Sequence, residues 1–453
     1  MKERVLQFGE GNFLRGFVDW FIQELNEKAD YNTSVAVVQP LPDGMADQLI
    51  AQDGEYTTVL RGIENGKLVE EIKKNTCIRR CINPYERFCQ FLALARSEEL
   101  ELVVSNTTEA GIAFDPSCSV LDEPPASFPG KVTRFLLERY RYFDGAPDKG
   151  LVFLPCELID NNGLALKDCI LQYIALWGLG DDFRHWVETA CTFTCTLVDR
   201  IVTGYPHGEA AAWEVRLGYT DKLIVTAEYF HLWVIAGMGE KKSLLPLDTC
   251  GYNVVFTDNI TPYKTRKVRI LNGAHTMSVM AAHLLGMETV LDMMNDAVME
   301  RYLKQGIFEE IIPTISSLPR EQLEQYAASV LERFRNPYLR HRLLDICLNS
   351  VAKYKERVLP SLLGYIEQFD RLPPVLTFSL AALIVFYKSG DARDSAQVSA
   401  FLLEHDTTEI LANADLWGRD LTAVPGLADA VARLVNRIQQ EGVKQVLLSQ
   451  LEQ

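Results

Sequence analysis

A chain of 453 residues is about three times the usual single-domain length, so two domains, or one large domain with a second attached, are expected. With 48% hydrophobic and 23% charged residues it has the composition of an ordinary globular protein, outside the disordered, collagenous and repetitive classes. A formal charge of −16 excludes a broadly basic surface for nucleic acid or membrane, and an anionic substrate would depend on a local basic pocket.

The chain opens with MKERVLQFGEG, where charged residues run straight into a short apolar strand, Val5-Leu6-Gln7-Phe8. That is not the long apolar stretch and cleavage site of a secretory signal. A glycine-rich turn follows, Gly9-Glu10-Gly11-Asn12-Phe13-Leu14-Arg15-Gly16, then a helical stretch from Phe17 to Asn26 and a second apolar run from Ser34 to Val38. Strand, glycine turn, helix and strand within about thirty residues form the βαβ unit of a doubly wound α/β sheet. Two further buried strands are expected at 100–105 and 150–154; each leads into polar residues, and open parallel sheets place their ligands at such strand ends.

From Pro262 on the pattern becomes helical, with long periodic stretches at 291–305, 322–333 and 376–387. The turn-rich segment 245–262 contains the boundary, giving domains 1–258 and 259–453. No apolar run is long enough to span a bilayer. Ten cysteines without a secretory signal point to reduced thiols in the cytoplasm. Cys77 and Cys81, like Cys191 and Cys195, lack the second close pair that a zinc site needs, so no metal is expected.

In the glycine turn, missing β-carbons would let a pyrophosphate approach the backbone and a helix N-terminus, although the spacing departs from G-x-G-x-x-G because Gly16 comes five residues after Gly11. Phe8, Gly9, Gly11, Asn12 and Phe13 are the candidate cofactor residues here. An acid at the end of the second strand would bind the adenosine ribose; this strand ends instead at Gln39, which, with Asp43, is the candidate for that contact. No Lys or Arg lies between Ala29 and Arg61 to hold a 2′-phosphate, which favours NAD over NADP.

The stretch from Tyr263 to His275 contains K-x4-N-x2-H: Lys267, Asn272 and His275. On an α-helix these fall within an arc of about 140°, so a lysine, an amide and an imidazole can face one pocket. Oxidising an alcohol without a metal needs a general base, which a lysine becomes near neutral pH only through burial or neighbouring cations. Lys264, Arg266 and Arg269 are candidates for those cations. Asn272 would donate a hydrogen bond to the alkoxide or carbonyl oxygen, and His275 would bind another hydroxyl or orient the lysine. Taken alone, Lys267 reads as a solvated lysine and His275 as a structural histidine.

Six motifs bear on the choice: QFGEGNFLRGF at 7–17, QDGEYTTVLRG at 52–62, SNTTEAGI at 105–112, PCELIDNNG at 155–163, TLVDRIVTGYP at 196–206 and KVRILNGAH at 267–275. Through them the chain resembles, over nearly its whole length, the polyol-specific long-chain dehydrogenases of the mannitol dehydrogenase type. The resemblance implies a Rossmann-type N-terminal domain, a mostly α-helical C-terminal domain and a zinc-independent site in which Lys267 is the acid/base and Asn272 and His275 its partners. It places Val198 and Asp199 at the substrate and Thr107, Thr108 and Glu109 at the nicotinamide side of the cofactor. It also implies a departure: the mannitol enzymes carry a second oxyanion asparagine in a Cys-Asp-Asn run, where this chain has Cys156-Glu157-Leu158. Asn161 or Asn162 replaces it, or Asn272 acts alone.

Within that family the motifs are most similar to the branch that reduces tagaturonate reversibly to altronate with NADH in hexuronate catabolism. Fructuronate to mannonate, or a neutral polyol such as mannitol, are the alternatives, and a catalytically silent NAD-binding sensor is a reading of another class. A sugar-acid substrate adds a carboxylate, for which guanidinium is the natural partner. The stretch 333–357 carries seven Lys and Arg against two acids. Arg335, Arg342, Lys353 and Arg357 are its candidates, with His341 for a substrate hydroxyl.

Overall fold

The structure is a computed structural model and describes residues 1–108 and 110–452. It divides into two compact units, Met1–Glu64 with Leu68–Ile260 and Asn65–Lys67 with Thr261–Gln453.

Six parallel strands build the central sheet of the first unit: β1 (Lys2–Phe8), β2 (Thr33–Val38), β3 (Ile78–Ile82), β4 (Leu102–Ser105), β5 (Val152–Pro155) and β6 (Thr192–Phe193). Their order is β3-β2-β1-β4-β5-β6, that of a Rossmann-type dinucleotide fold with the strand order reversing between β1 and β4. The register pairs Phe8 with Val38 and with Ser105, and Ser105 with Pro155. Four strands therefore end level, and Gly9, Gln39, Asn106 and Cys156 leave the sheet along one edge.

Val5, Val35, Val37, Leu102 and Val104 enter a core with Phe17, Phe21 and Trp233 on one face. Leu6, Phe8, Ala36, Val38 and Val103 enter another with Phe91, Val132 and Leu136 on the opposite face. A parallel sheet buried on both faces needs unbroken apolar strands, which is why these runs stand out in the sequence.

Two smaller sheets were not visible in the sequence. In one, Cys195–Asp199 runs antiparallel to Leu232–Ala236, which is parallel to Val254–Thr257. In the other the order is Val202–Gly204, Val225–Glu228, Tyr56–Glu64, Lys67–Asn75. The helix expected from Phe17 to Asn26 is preceded by a single turn, Asn12–Arg15, and itself spans Val18–Lys28.

From Thr261 on, every named element is a helix. Arg320–Phe334 and Pro374–Lys388 lie within two residues of the expected bounds. The stretch 291–305 is instead two helices, Val290–Asn295 and Ala297–Gln305, because the Asp296 carboxylate accepts from the N–H groups of Val298 and Met299 (2.9 and 3.0 Å) and so starts a new helix. Two segments are π-helical, Lys267–Asn272 and Gly306–Ile311. Among the described residues no helix is long and apolar enough to cross a membrane.

The second π segment carries Glu310, only 2% exposed, whose carboxylate accepts from the N–H groups of Val375 (2.9 Å) and Leu376 (2.8 Å) at the start of the helix Pro374–Lys388. Burial pushes its pKa from 4.5 up to about 7, against the lowering effect of those two bonds. A carboxyl with a raised folded pKa binds its proton more tightly in the folded chain, so its contribution is greatest below 4.5 and is lost as pH rises through about 7. The melting temperature is expected to fall across that window by an amount worth on the order of 2 kcal/mol, and Glu310→Gln, which does not titrate, is expected to flatten that part of the curve. Wild-type and variant curves of equal slope would show that Glu310 does not titrate there.

Candidate active site

The glycine turn leaves β1 through Gly9, at φ +122, where a β-carbon would stand 2.8 Å from the Asn106 carbonyl oxygen. Only glycine allows the loops after β1 and β4 to come this close. Gly11 borders open space, with nothing within 4 Å of an added β-carbon. Asn12 accepts a hydrogen bond from Arg15 Nη2 (2.8 Å), and the Phe13 ring stacks on Phe17 at 5.1 Å. Phe8 differs from expectation: its ring is in the core, edge-on to Phe91 and Phe128, and its carbonyl accepts from Asn106 N, so it shapes the turn from below.

Gln39 is also corrected. Its amide donates to the carbonyls of Leu41 (2.8 Å) and Pro42 (2.9 Å) and accepts from Ala46 N (3.1 Å), and the residue is 2% exposed. Both donors organise the loop after β2 and are not available to a ribose. Asp43 is exposed on that same loop and keeps the candidacy.

The loop after β4 is braced by Glu157. Its buried carboxylate accepts from Ser105 Oγ (3.0 Å), Thr107 N (3.1 Å) and Thr107 Oγ1 (3.1 Å), while Asn106 Nδ2 donates to the Cys156 carbonyl. Burial raises the Glu157 pKa and the four hydrogen-bond contributions lower it. Thr107 is thus held in place and Thr108 is exposed beside it; Glu109 lies outside the described residues. Cys156 is fully buried with its thiol pushed up by burial, as suits a core residue.

Of the two replacements for the missing asparagine, Asn162 is excluded. Its Nδ2 contacts the carbonyls of Pro155, Glu157 and Thr196, its Oδ1 accepts from Gly163 N and Thr196 N, and it is 1% exposed. Asn161 is exposed in the left-handed region at φ +51, and Leu158 is exposed and cannot donate. Val198 belongs to the apolar core and Asp199 is buried at the end of the strand Cys195–Asp199. The neighbouring Arg200 does not turn to Asp199: it donates to the carbonyls of Gly16, Tyr229 and Phe230.

In the second unit, Lys267 and Asn272 begin and end the first π segment. A π turn bonds residue i to i+5, so residues five apart stand one turn apart on one face. This narrows the arc that α-helical spacing predicts for the lysine and the amide. His275 follows in the first turn of the helix Gly273–Leu284, 9% exposed, with its ring stacked on Phe334 at 4.1 Å and edge-on to His341 at 5.3 Å. Burial lowers the His341 pKa, and Arg333 adds to that, so its imidazole is favoured in the neutral form.

Two of the three cations expected around Lys267 have identified partners. Arg266 lies over the rings of Tyr326 (4.4 Å) and Tyr263 (5.2 Å), and Arg269 donates to Ser361 Oγ (2.5 Å) and Thr314 Oγ1 (2.7 Å). Arg357 approaches the start of the helix Gly273–Leu284. At Gly273 an added β-carbon would be 3.1 Å from the Arg357 carbonyl oxygen, and Arg357 Nη1 lies 3.4 Å from Thr276 Oγ1. One turn earlier on the same helix, Lys353 donates to the Ile346 carbonyl (2.9 Å); burial lowers its pKa, and Arg357 lowers it further.

Arg335 and Arg342 do not join them. Arg335 pairs with Glu300 (2.6 Å). Arg342 lines a depression with His283, Asp345 and Arg393 near the C-terminal end of the helix Gly273–Leu284, where His283 lies about 12 Å along the axis from His275. Three participants were not picked out in the sequence: Arg15, Glu157 and Phe334. The first two lay inside the quoted motifs, and Phe334 carried no signal beyond its helical periodicity.

Residues 3–249 match the family described as Mannitol dehydrogenase Rossmann domain, and residues 259–439 that described as Mannitol dehydrogenase C-terminal domain. The chain is 46% identical to an altronate oxidoreductase of Yersinia pestis, over 98% of this chain and 95% of that one, and 44% identical to an altronate oxidoreductase of Phocaeicola vulgatus, over 97% and 95%. Among solved structures, D-sorbitol dehydrogenase in substrate-free form aligns with a TM-score of 0.85 at 23% identity, covering 99% of this chain and 95% of that one. Mannitol 2-dehydrogenase of Pseudomonas fluorescens, solved with NAD and D-mannitol, aligns with a TM-score of 0.73 at 21% identity, covering 100% and 95%. These two likenesses show the fold.

Proposed function

The chain belongs to the mannitol dehydrogenase family, and on that premise we propose that it is an NAD-dependent oxidoreductase reducing tagaturonate reversibly to altronate. The observation that carries the choice of substrate is the near full-length identity of 44–46% to altronate oxidoreductases. The positions of Lys353 and Arg357 support it: two cations one helical turn apart, each with a pKa lowered by burial, are relieved by a carboxylate placed between them.

When bound, NADH supplies the hydride to the substrate carbonyl carbon. As the carbonyl oxygen gains negative charge, Lys267 gives it a proton and is left as the free amine; oxidation of altronate reverses the transfer. Asn272, one π turn away, donates a hydrogen bond that strengthens as that charge develops. His275, kept in orientation by the Phe334 and His341 rings, takes a neighbouring hydroxyl, and Arg357 with Lys353 holds the carboxylate. The open side of the glycine turn and the braced loop Ser105–Thr108 hold the cofactor, with Asp43 toward the ribose. The absence of Lys and Arg between Ala29 and Arg61 supports NAD over NADP. We place the protein in the cytoplasm, which ten free cysteines support.

The test follows NADH absorbance with tagaturonate, fructuronate and fructose, each repeated with NADPH and with EDTA. Turnover fastest on tagaturonate with NADH and insensitive to EDTA is expected. Turnover on fructuronate or fructose alone would overturn the substrate while keeping the chemistry, and loss of activity in EDTA would overturn the metal-free mechanism.

A further inference from the structure

Arg15 belongs to the glycine turn but faces away from its open side. Its residue is 0% exposed, and its guanidinium donates to three neutral oxygens: Nε to the Glu10 carbonyl (3.1 Å), Nη2 to Asn12 Oδ1 (2.8 Å) and Nη1 to the Leu223 carbonyl (2.6 Å). Burying a cation is costly, and only a planar fork of donors reaches all three oxygens from one position. Two of the three belong to the turn itself. The turn's last carbonyls are held from the same inner side: Tyr56 OH donates to the Arg15 carbonyl (2.8 Å), and the buried Arg200 donates through Nη1 to that of Gly16 (2.9 Å).

In a trans peptide the C=O and N–H point to opposite sides of the chain. The Glu10–Gly11 bond is trans. Drawing the Glu10 oxygen inward therefore turns the Gly11 N–H outward, at the residue that borders open space. Backbone N–H groups aligned this way form a concavity for an anion. Arg15 also fixes the Asn12 side chain, whose amide has room because the facing residue is Gly204, at φ +80, where a β-carbon would stand 2.6 Å from Asn12 Nδ2.

We infer that Arg15 is the positioning residue that presets the glycine turn for the diphosphate of a dinucleotide without touching it. The inference rests on the NAD reading above. A folding role alone would weaken all ligands alike; a role in aiming the turn weakens those that carry the diphosphate.

The test compares full-length wild type with Arg15→Met and Arg15→Lys. NADH affinity is read by fluorescence quenching, and inhibition by ADP-ribose and by adenosine is measured alongside. Arg15→Met is expected to weaken NADH and ADP-ribose together by roughly ten- to a hundredfold, to raise KM for NADH more than it lowers kcat, and to leave adenosine inhibition unmoved. Arg15→Lys, which reaches one oxygen instead of three, is expected to fall between, and it carries the test if Arg15→Met does not fold. Equal loss for adenosine and ADP-ribose, or NADH bound as tightly by the variants as by wild type, would overturn the inference. Wild type that does not bind NADH would overturn the cofactor reading and this inference with it.

Discussion

Replacing Lys267 by alanine is expected to lower turnover of tagaturonate roughly 10²- to 10⁴-fold while NADH still binds. Hydride delivered to a carbonyl carbon leaves an alkoxide, and without a positioned acid its proton must come from solvent. Lys267→Arg separates the two contributions a lysine can make. Arginine keeps the positive charge but does not release its proton at any working pH, so it is expected to be about as inactive as alanine. A small primary amine added to Lys267→Ala is expected to restore part of the activity, because it can occupy the space left and carry the proton. Steady-state kcat with each variant, alongside NADH quenching, checks all three. Turnover within tenfold of wild type in Lys267→Ala would remove the lysine from the chemistry. Wild type that binds NADH and turns over none of the sugars would move the protein to the sensor class.

The strands that were legible in the sequence share one physical property: their residue types follow from burial on both sides. Val35 to Val38 are all buried, and an unbroken apolar run before and after a glycine turn is a strong pattern. The strand Lys67–Asn75, KLVEEIKKN, has most of its residues at least partly exposed and reads as polar chain, so the hairpin it forms went unseen. Asp296 broke an otherwise continuous helical period because capping depends on local geometry that periodicity does not register.

The site was legible as residue types and less so as directions. Lys267, Asn272 and His275 are singled out by their spacing and given roles only by the family resemblance, and the π turn between the first two is a change of hydrogen-bond register with no signature in residue type. Gln39 and Asn162 were candidates because each has a free amide on paper; in the fold, neighbouring backbone takes up those amides. Arg342 and His341 are adjacent in sequence, yet the histidine ring lies edge-on to His275 while the arginine lines the depression beside His283.

Removing that amide at Asn272 is expected to lower kcat by roughly 10²- to 10³-fold, the effect of losing one donor from an oxyanion site. A donor that binds the ground-state carbonyl and the developing alkoxide equally would change KM; one whose bond strengthens with charge changes kcat. Asn272→Ala is therefore expected to leave KM for tagaturonate within a few-fold of wild type while kcat falls. Asn272→Asp should be worse, since a carboxylate one turn from Lys267 pairs with the acid and repels the alkoxide. Leu158 has no donor and Asn162 has none to spare, so Asn161 is the one remaining amide of that loop that can share the work. Adding Asn161→Ala to Asn272→Ala settles its part: no further loss leaves Asn272 as the lone amide donor, whereas a further tenfold drop makes Asn161 the second. A fall confined to KM in Asn272→Ala would instead make the amide a substrate contact with no part in stabilising the transition state.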